Sequence, residues 1–243
     1  MSKFFTNHYP IINLYKKKSA KSEVVTQMIF GESFKVLDKT NKWLKIKIKE
    51  DNYKGFIKLI KFEKFIKATH KIDKLKAPFL LKNKKKGYLT FGSKIKVDKK
   101  VGNYFSFGKY KIKASYLKPI KFKQKDYFSK IKIFRGVKYK WGGKSYKGID
   151  CSALIQVCLN FNNKYCPRDA KDQVKYFKKN IKLKNIKKNN VIYWKGHVAV
   201  ALSKNKLIHA YGPMKKTVVM NTNQTIKRIY KTANLKVIGI KQI

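Results

Sequence analysis

Three cysteines and four histidines are the residues of this chain best suited to nucleophilic chemistry, and one cysteine stands in a setting that would activate it. The segment Trp141-Gly142-Gly143-Lys144-Ser145-Tyr146-Lys147-Gly148-Ile149-Asp150-Cys151-Ser152 is a glycine-rich loop that delivers Cys151 to the start of an apolar stretch. Cys151, Leu154, Ile155, Cys158 and Phe161 fall near i, i+3, i+4 and i+7, so the spacing predicts a helix opening close to Cys151. The first turn of a helix carries unpaired N–H groups and the positive end of its dipole, and both favour an anion. A thiol placed there is expected to ionise readily, since such sites lower a cysteine pKa from about 8.5 to roughly 3.5–7.5. The same N–H groups could hold the oxyanion formed when the sulfur attacks a carbonyl. Cys158, on the same helix face, reads as core, and Cys166 as structural.

A sulfur nucleophile needs a base. Gly196-His197-Val198-Ala199-Val200 and Ile208-His209-Ala210 supply two histidines on adjacent apolar runs, with Asn205-Lys206 between them as the turn of a hairpin. Strand register decides whether they can cooperate. A pairing with an even index sum, such as 199 opposite 209, puts both side chains on one face; an odd sum separates them. On one face, His197 could take the thiol proton while His209 orients its ring, the part an Asp or Asn plays in other triads.

The elements that must position these groups fall into two halves. Up to Pro119 the chain shows a repeat at an offset of about sixty residues. Phe30-Gly31 returns as Phe91-Gly92, Phe34 and Val36 as Ile95 and Val97, Trp43-Leu44 as Tyr104-Phe105, and Leu14 as Leu75. Short alternating stretches at Ser33–Leu37, Trp43–Ile48 and Gly55–Ile60, separated by turn-rich tetrads such as Asp38–Asn41 and Glu50–Tyr53, describe a small all-β barrel in each copy. One larger antiparallel domain is the alternative. Beyond Pro119, helical spacing from about Asp126 to Lys179 gives way to strands at Val191–Trp194, Val198–Leu202 and Lys206–Tyr211, an α+β domain.

Composition restricts the partners. The formal net charge is +49, yet only Arg135, Arg168 and Arg228 are arginines among 61 basic residues, whereas readers of nucleic acid lean on arginine. The lysines alternate with apolar residues, as in Leu44-Lys45-Ile46-Lys47-Ile48-Lys49, which places them on the solvent face of strands. No specific nucleic-acid partner is expected. With 43% hydrophobic and 14% aromatic residues the chain should fold despite its charge. It has no apolar run suited to a signal peptide or to membrane insertion, so a cytoplasmic protein is expected. No C-x-x-C pair and no H-E-x-x-H occur, and neither metal nor cofactor is required.

The stretch from Tyr139-Lys140-Trp141 through Gln156, with Gly196-His197-Val198, His209-Ala210 and Cys166-Pro167-Arg168-Asp169, resembles the NlpC family of papain-like cell-wall peptidases. The N-terminal repeat looks like the paired bacterial SH3-like domains of those members that act as γ-D-glutamyl-L-diamino-acid endopeptidases. The resemblance implies SH3-like domains at residues 1–65 and 66–121 and a cysteine peptidase domain at 122–243. It implies murein peptides with a free N-terminal L-Ala as substrate, and Cys151, His197 and His209 as the triad. Tyr139, Trp141, Asp150 and Ser152 would line the pocket for the N-terminal dipeptide, and Glu32 and Tyr53 would close it around the ammonium group. Glu32 reads equally as a solvated turn residue. Ala153 and Asn189-Asn190 depart from the family pattern, which has Gly at the first position and Gly-Asp at the second. Two other readings are a wall- or polyanion-binding module of weak activity and an acyltransferase on the same scaffold. The oligomeric state is left open.

Overall fold

The computed structural model describes residues 4–81 and 86–243. They form two compact units, Met1–Lys123 with Lys144–Tyr146, and Gln124–Gly143 with Lys147–Ile243. The protein is α+β, with an all-β first unit apart from one short 3-10 turn and a mixed second unit.

In unit 1 the alternation of apolar residues and lysines works as expected. Leu44, Ile46 and Ile48 are buried on the strand Trp43–Ile48 while Lys45 and Lys49 face solvent. Two separate cores form, one from Leu14, Met28, Phe34, Leu44, Ile46, Ile48 and Ile57, the other from Ile72, Ala77, Phe79, Leu89, Ile95, Phe107, Ile112 and Leu117. The repeat is visible in the backbone at its Phe-Gly pairs. Glu32 N donates to Ile29 O at 3.2 Å and Ser93 N to Thr90 O at 3.1 Å, and the third residue of each turn is a glycine with positive φ, Gly31 at 82° and Gly92 at 81°. A turn of this kind needs φ > 0 at that position. At Gly31 a Cβ would also lie 2.0 Å from Lys94 O.

The tetrad Asp38–Asn41 is not wholly a turn. The strand Ser33–Lys39 runs on through a register shift between Val36 and Asp38, because a bulge takes up one residue and lets the ladder continue.

Unit 2 centres on an antiparallel sheet in the order Lys216–Asn221, Lys206–Tyr211, His197–Ala201, Asn190–Trp194, Val237–Gln242. Helix α1 spans Cys151–Phe161, helix α2 Ala170–Tyr176 and helix α3 Thr222–Ala233. The expected helix thus opens on Cys151 itself. Its faces bury almost completely, and it packs against the strands carrying His197 and His209. Asn189 takes φ 70° before the central strand, and Asn190 Oδ1 accepts from Lys187 N at 2.9 Å. Asparagine therefore supplies the left-handed turn residue that glycine would otherwise provide.

Candidate active site

Cys151 is the first residue of α1 and is 5% exposed. Asp150 is its N-cap, accepting from Ala153 N at 2.8 Å through Oδ1, while Oδ2 accepts from Gly142 N at 3.0 Å. One carboxylate therefore ties the glycine loop to the helix that bears the nucleophile. Gly142 meets it with φ 69°, a left-handed backbone that suits glycine.

Arg168 completes this arrangement. Its guanidinium donates from Nη1 to Asp150 Oδ1 at 3.0 Å, from Nη2 to Asp150 Oδ2 at 2.5 Å, and from Nη1 to Ser152 Oγ at 2.9 Å. Both ends of the pair are buried. Arg168 belonged to the motif but had no assigned part, and its identity was the available signal: a planar fork fits a carboxylate bidentately where lysine cannot.

The register pairs Val200 with Ile208 and Ala201 with Leu207, an even index sum, so His197 and His209 share a face. Their rings meet with His197 Nε2 and His209 Nδ1 2.9 Å apart. His209 is fully buried, stacked on Tyr211 with ring centroids 4.6 Å apart and planes 10° apart, and its Nε2 lies 3.3 Å from Met220 Sδ. Nothing in the sequence singled out Met220, which reads there as one apolar residue of a strand.

The thiol is not acidified by its place on the helix. Burial pushes it up to about 12 and the Asp150 carboxylate adds to the rise, while N–H donation from Val198 and Ser152 and the Arg168 guanidinium oppose it. The expectation of a ready thiolate counted the helix end but not the loss of water around the sulfur or the anionic cap beside it. Burial likewise lowers His197 to about 4, and burial together with His197 lowers His209 to about 3. Both shifts favour the uncharged forms, a thiol and a neutral imidazole. Donation by Val198 N–H to the sulfur sets Cys151 beside the strand residue that follows His197.

These shifts have a consequence for stability. Between the folded values of about 4 and about 3 and the ordinary histidine value of about 6.5, the unfolded chain binds more protons than the folded one. The contribution is complete above about pH 6.5 and is lost as pH falls through that window. Urea midpoints measured at pH 7 and pH 5 are expected to drop at the lower value, and the drop should shrink in His209→Gln.

The other expected site residues are placed as follows. Tyr139 is half-buried in unit 2, and burial, then the nearness of Cys151 and Asp150, raises its hydroxyl above the ordinary range. Ser152 is buried in the Asp150–Arg168 network, and Trp141 is 58% exposed. Asp150 caps α1, with both of its oxygens engaged. Glu32, in unit 1, is not a solvated turn residue. It is 3% exposed, Oε2 accepting from Ile29 N at 2.8 Å and Oε1 from Lys144 Nζ at 2.6 Å. Burial pushes its carboxyl up against the pull of Lys144. Tyr53 packs against the first core of the same unit. Among the described residues no His, Cys, Asp and Glu cluster has metal-binding geometry.

Residues 136–234 match the NlpC/P60 family, and residues 14–59 match the bacterial dipeptidyl-peptidase SH3 domain. A γ-D-glutamyl-L-lysine dipeptidyl-peptidase of Bacillus subtilis (strain 168) is 26% identical over 230 residues, 84% of this chain and 77% of that protein. Dipeptidyl-peptidase 6 of Lysinibacillus sphaericus is 36% identical over 72 residues, 30% of this chain and 27% of that one. Among solved structures, an NlpC/P60 family protein from Bacillus cereus ATCC 10987 superposes with a TM-score of 0.83 at 14% identity over 99% of both chains. An NlpC/P60 endopeptidase from Photobacterium damselae subsp. piscicida gives 0.70 at 10% identity, over 98% of this chain and 70% of that one. The fold is therefore that of an NlpC/P60 domain preceded by SH3-like β structure.

Proposed function

We propose that this NlpC/P60 cysteine peptidase hydrolyses the γ-D-glutamyl-diamino-acid bond of murein peptides, with Cys151 as nucleophile, His197 as base and His209 as its orienting partner. The observation that carries the reading is the imidazole pair, His197 Nε2 to His209 Nδ1 at 2.9 Å, on two strands that the Cys151 helix packs against, with Val198 N–H donating to the Cys151 sulfur. The B. subtilis relative, named for the γ-D-glutamyl-L-lysine linkage, supports the same bond.

In the reaction His197 takes the thiol proton as sulfur attacks the γ-carbonyl of D-Glu, so the tetrahedral oxyanion forms at the start of α1. Collapse breaks the C–N bond, and the proton held on His197 passes to the leaving amine of the diamino acid. Water, deprotonated by the same imidazole, then releases the acyl group and restores the thiol.

The requirement for a free N-terminal L-Ala is assigned to Glu32 and Tyr53 by resemblance. Glu32 already holds Lys144 in a buried ion pair, so this part of the proposal has its own test. Purified protein is incubated with L-Ala-γ-D-Glu-meso-diaminopimelate, its L-lysine counterpart and the N-acetylated form of each, and products are followed by mass spectrometry. Release of L-Ala-D-Glu from the free peptides alone is the expected result. Equal cutting of the blocked forms would remove the free-amine requirement, and no cutting of any would overturn the assignment of the bond.

A further inference from the structure

We propose that Met220 is a positioning residue, its thioether sulfur fixing the tautomers of both histidines so that His197 presents a bare nitrogen to the thiol. The inference rests on the catalytic reading above, and deepens it.

Each neutral imidazole carries one N–H, so the 2.9 Å contact between His197 Nε2 and His209 Nδ1 can run in either of two directions. In one, His197 Nε2–H donates to His209 Nδ1. The proton of His209 then sits on Nε2, and His197 Nδ1 is left with its lone pair. In the other, His209 Nδ1–H donates, His209 Nε2 is bare, and His197 Nδ1 carries a hydrogen. Only the first leaves His197 able to take a proton on the nitrogen that His209 does not engage.

The hydrogen bond between the rings does not choose between the two. The atom at the far end of the pair does. Met220 Sδ lies 3.3 Å from His209 Nε2, and a thioether has no hydrogen to give, so it can only accept. In the first arrangement the contact is N–H to sulfur. In the second, two lone pairs face each other and a buried nitrogen loses its partner, which costs free energy in a fully buried residue. A weak acceptor is sufficient, because the alternative is repulsive rather than merely unbonded.

The neighbouring elements leave this assignment to Met220. Tyr211 from the strand of His209 stacks flat on that ring and so addresses its face, and Trp194 lies tilted beside His197 with centroids 5.6 Å apart. The register places Val218 opposite His209, which puts Met220, two residues on, on the same sheet face and diagonal to it. Cys151, on α1, lies next to the strand that begins with His197.

The test uses long-range ¹H–¹⁵N NMR of the whole protein at pH 7, where both rings are neutral, together with kinetics. In the wild type both histidines are expected as Nε2–H tautomers. Met220→Leu, which keeps the volume and removes the acceptor, should mix the tautomers of His209 and lower kcat about tenfold with KM unchanged, a fraction of the range attributed to general-base catalysis. Met220→Gln, whose Oε1 accepts a hydrogen bond, should restore a single tautomer and most of kcat. A wild-type His209 protonated on Nδ1, or a Leu variant with unaltered tautomers and kcat, would overturn the proposal. The wild-type spectrum needs no substrate and no variant, so it decides the question even if Met220→Leu does not fold or the peptides above are not cut.

Discussion

His197→Ala is expected to lower kcat/KM by on the order of 10⁴-fold or more, and Cys151→Ser by a similar factor, because residues of such a unit act together and the loss of one removes most of what all supply. The pH dependence separates this site from one holding a preformed ion pair. With His197 lowered to about 4 by burial, the imidazole is protonated and useless as a base below that value and free to accept above it. With the thiol pushed up to about 12, no thiolate forms in the neutral range without that base. Activity should therefore rise through about pH 4 and stay level across neutrality, rather than reach half its value near the ordinary histidine pKa of about 6.5. Initial rates on L-Ala-γ-D-Glu-L-lysine between pH 3.5 and 9, with stability monitored in parallel, give the profile. An acidic limb near 6.5 would contradict a neutral resting pair.

Arg168→Met is expected to be the most damaging single change outside the reacting atoms. The guanidinium and the Asp150 carboxylate are both nearly sealed from water, with side-chain exposures of 1% and 7%. Removing one partner of a buried pair leaves an uncompensated charge, at a cost of about 3–5 kcal/mol. Here the stranded carboxylate is also the cap of α1 and a neighbour of the Cys151 sulfur, so its unshielded charge should push the thiol higher still. Urea unfolding should show the lost stability, and the folded fraction should show lowered kcat/KM. The double variant Arg168→Met with Asp150→Asn should regain part of the stability, since the amide keeps an acceptor for Ala153 N and carries no charge. If Arg168→Met alone unfolds at the wild-type urea concentration, the pair holds nothing together.

The sequence told most where a pattern has one physical meaning. Alternation at Leu44–Lys49 matched a half-buried strand, and helical spacing after the glycine-rich loop placed a helix start close to Cys151. The parity argument for His197 and His209 reduced a three-dimensional question to one register, and the register came out even. What was illegible depended on atoms distant in the chain. The raised pKa of Cys151 follows from how tightly α1 is enclosed, which no local pattern records. The contact of Met220 with His209 depends on a diagonal across two strands, and the burial of Glu32 on an ion pair with a residue 112 positions away. Arg168 was half legible, since a rare arginine in a chain so rich in lysine marks a place where a flat, forked cation is needed.

Lys144–Tyr146 lies a few residues before the nucleophile in the chain but folds as part of unit 1. Gln27 Oε1 accepts from Lys144 N at 2.9 Å, Glu32 holds the Lys144 ammonium, and Thr90 Oγ1 accepts from Tyr146 N at 3.1 Å. The two units are thus separate as cores but not as cassettes. A chimera joined at residue 123 would inherit a foreign tripeptide at these three partners, and residues 1–123 expressed alone would lose the Lys144 ammonium that pairs with the buried Glu32. A module boundary drawn at residue 123 on a linear map therefore cuts the first unit from three residues that fold with it.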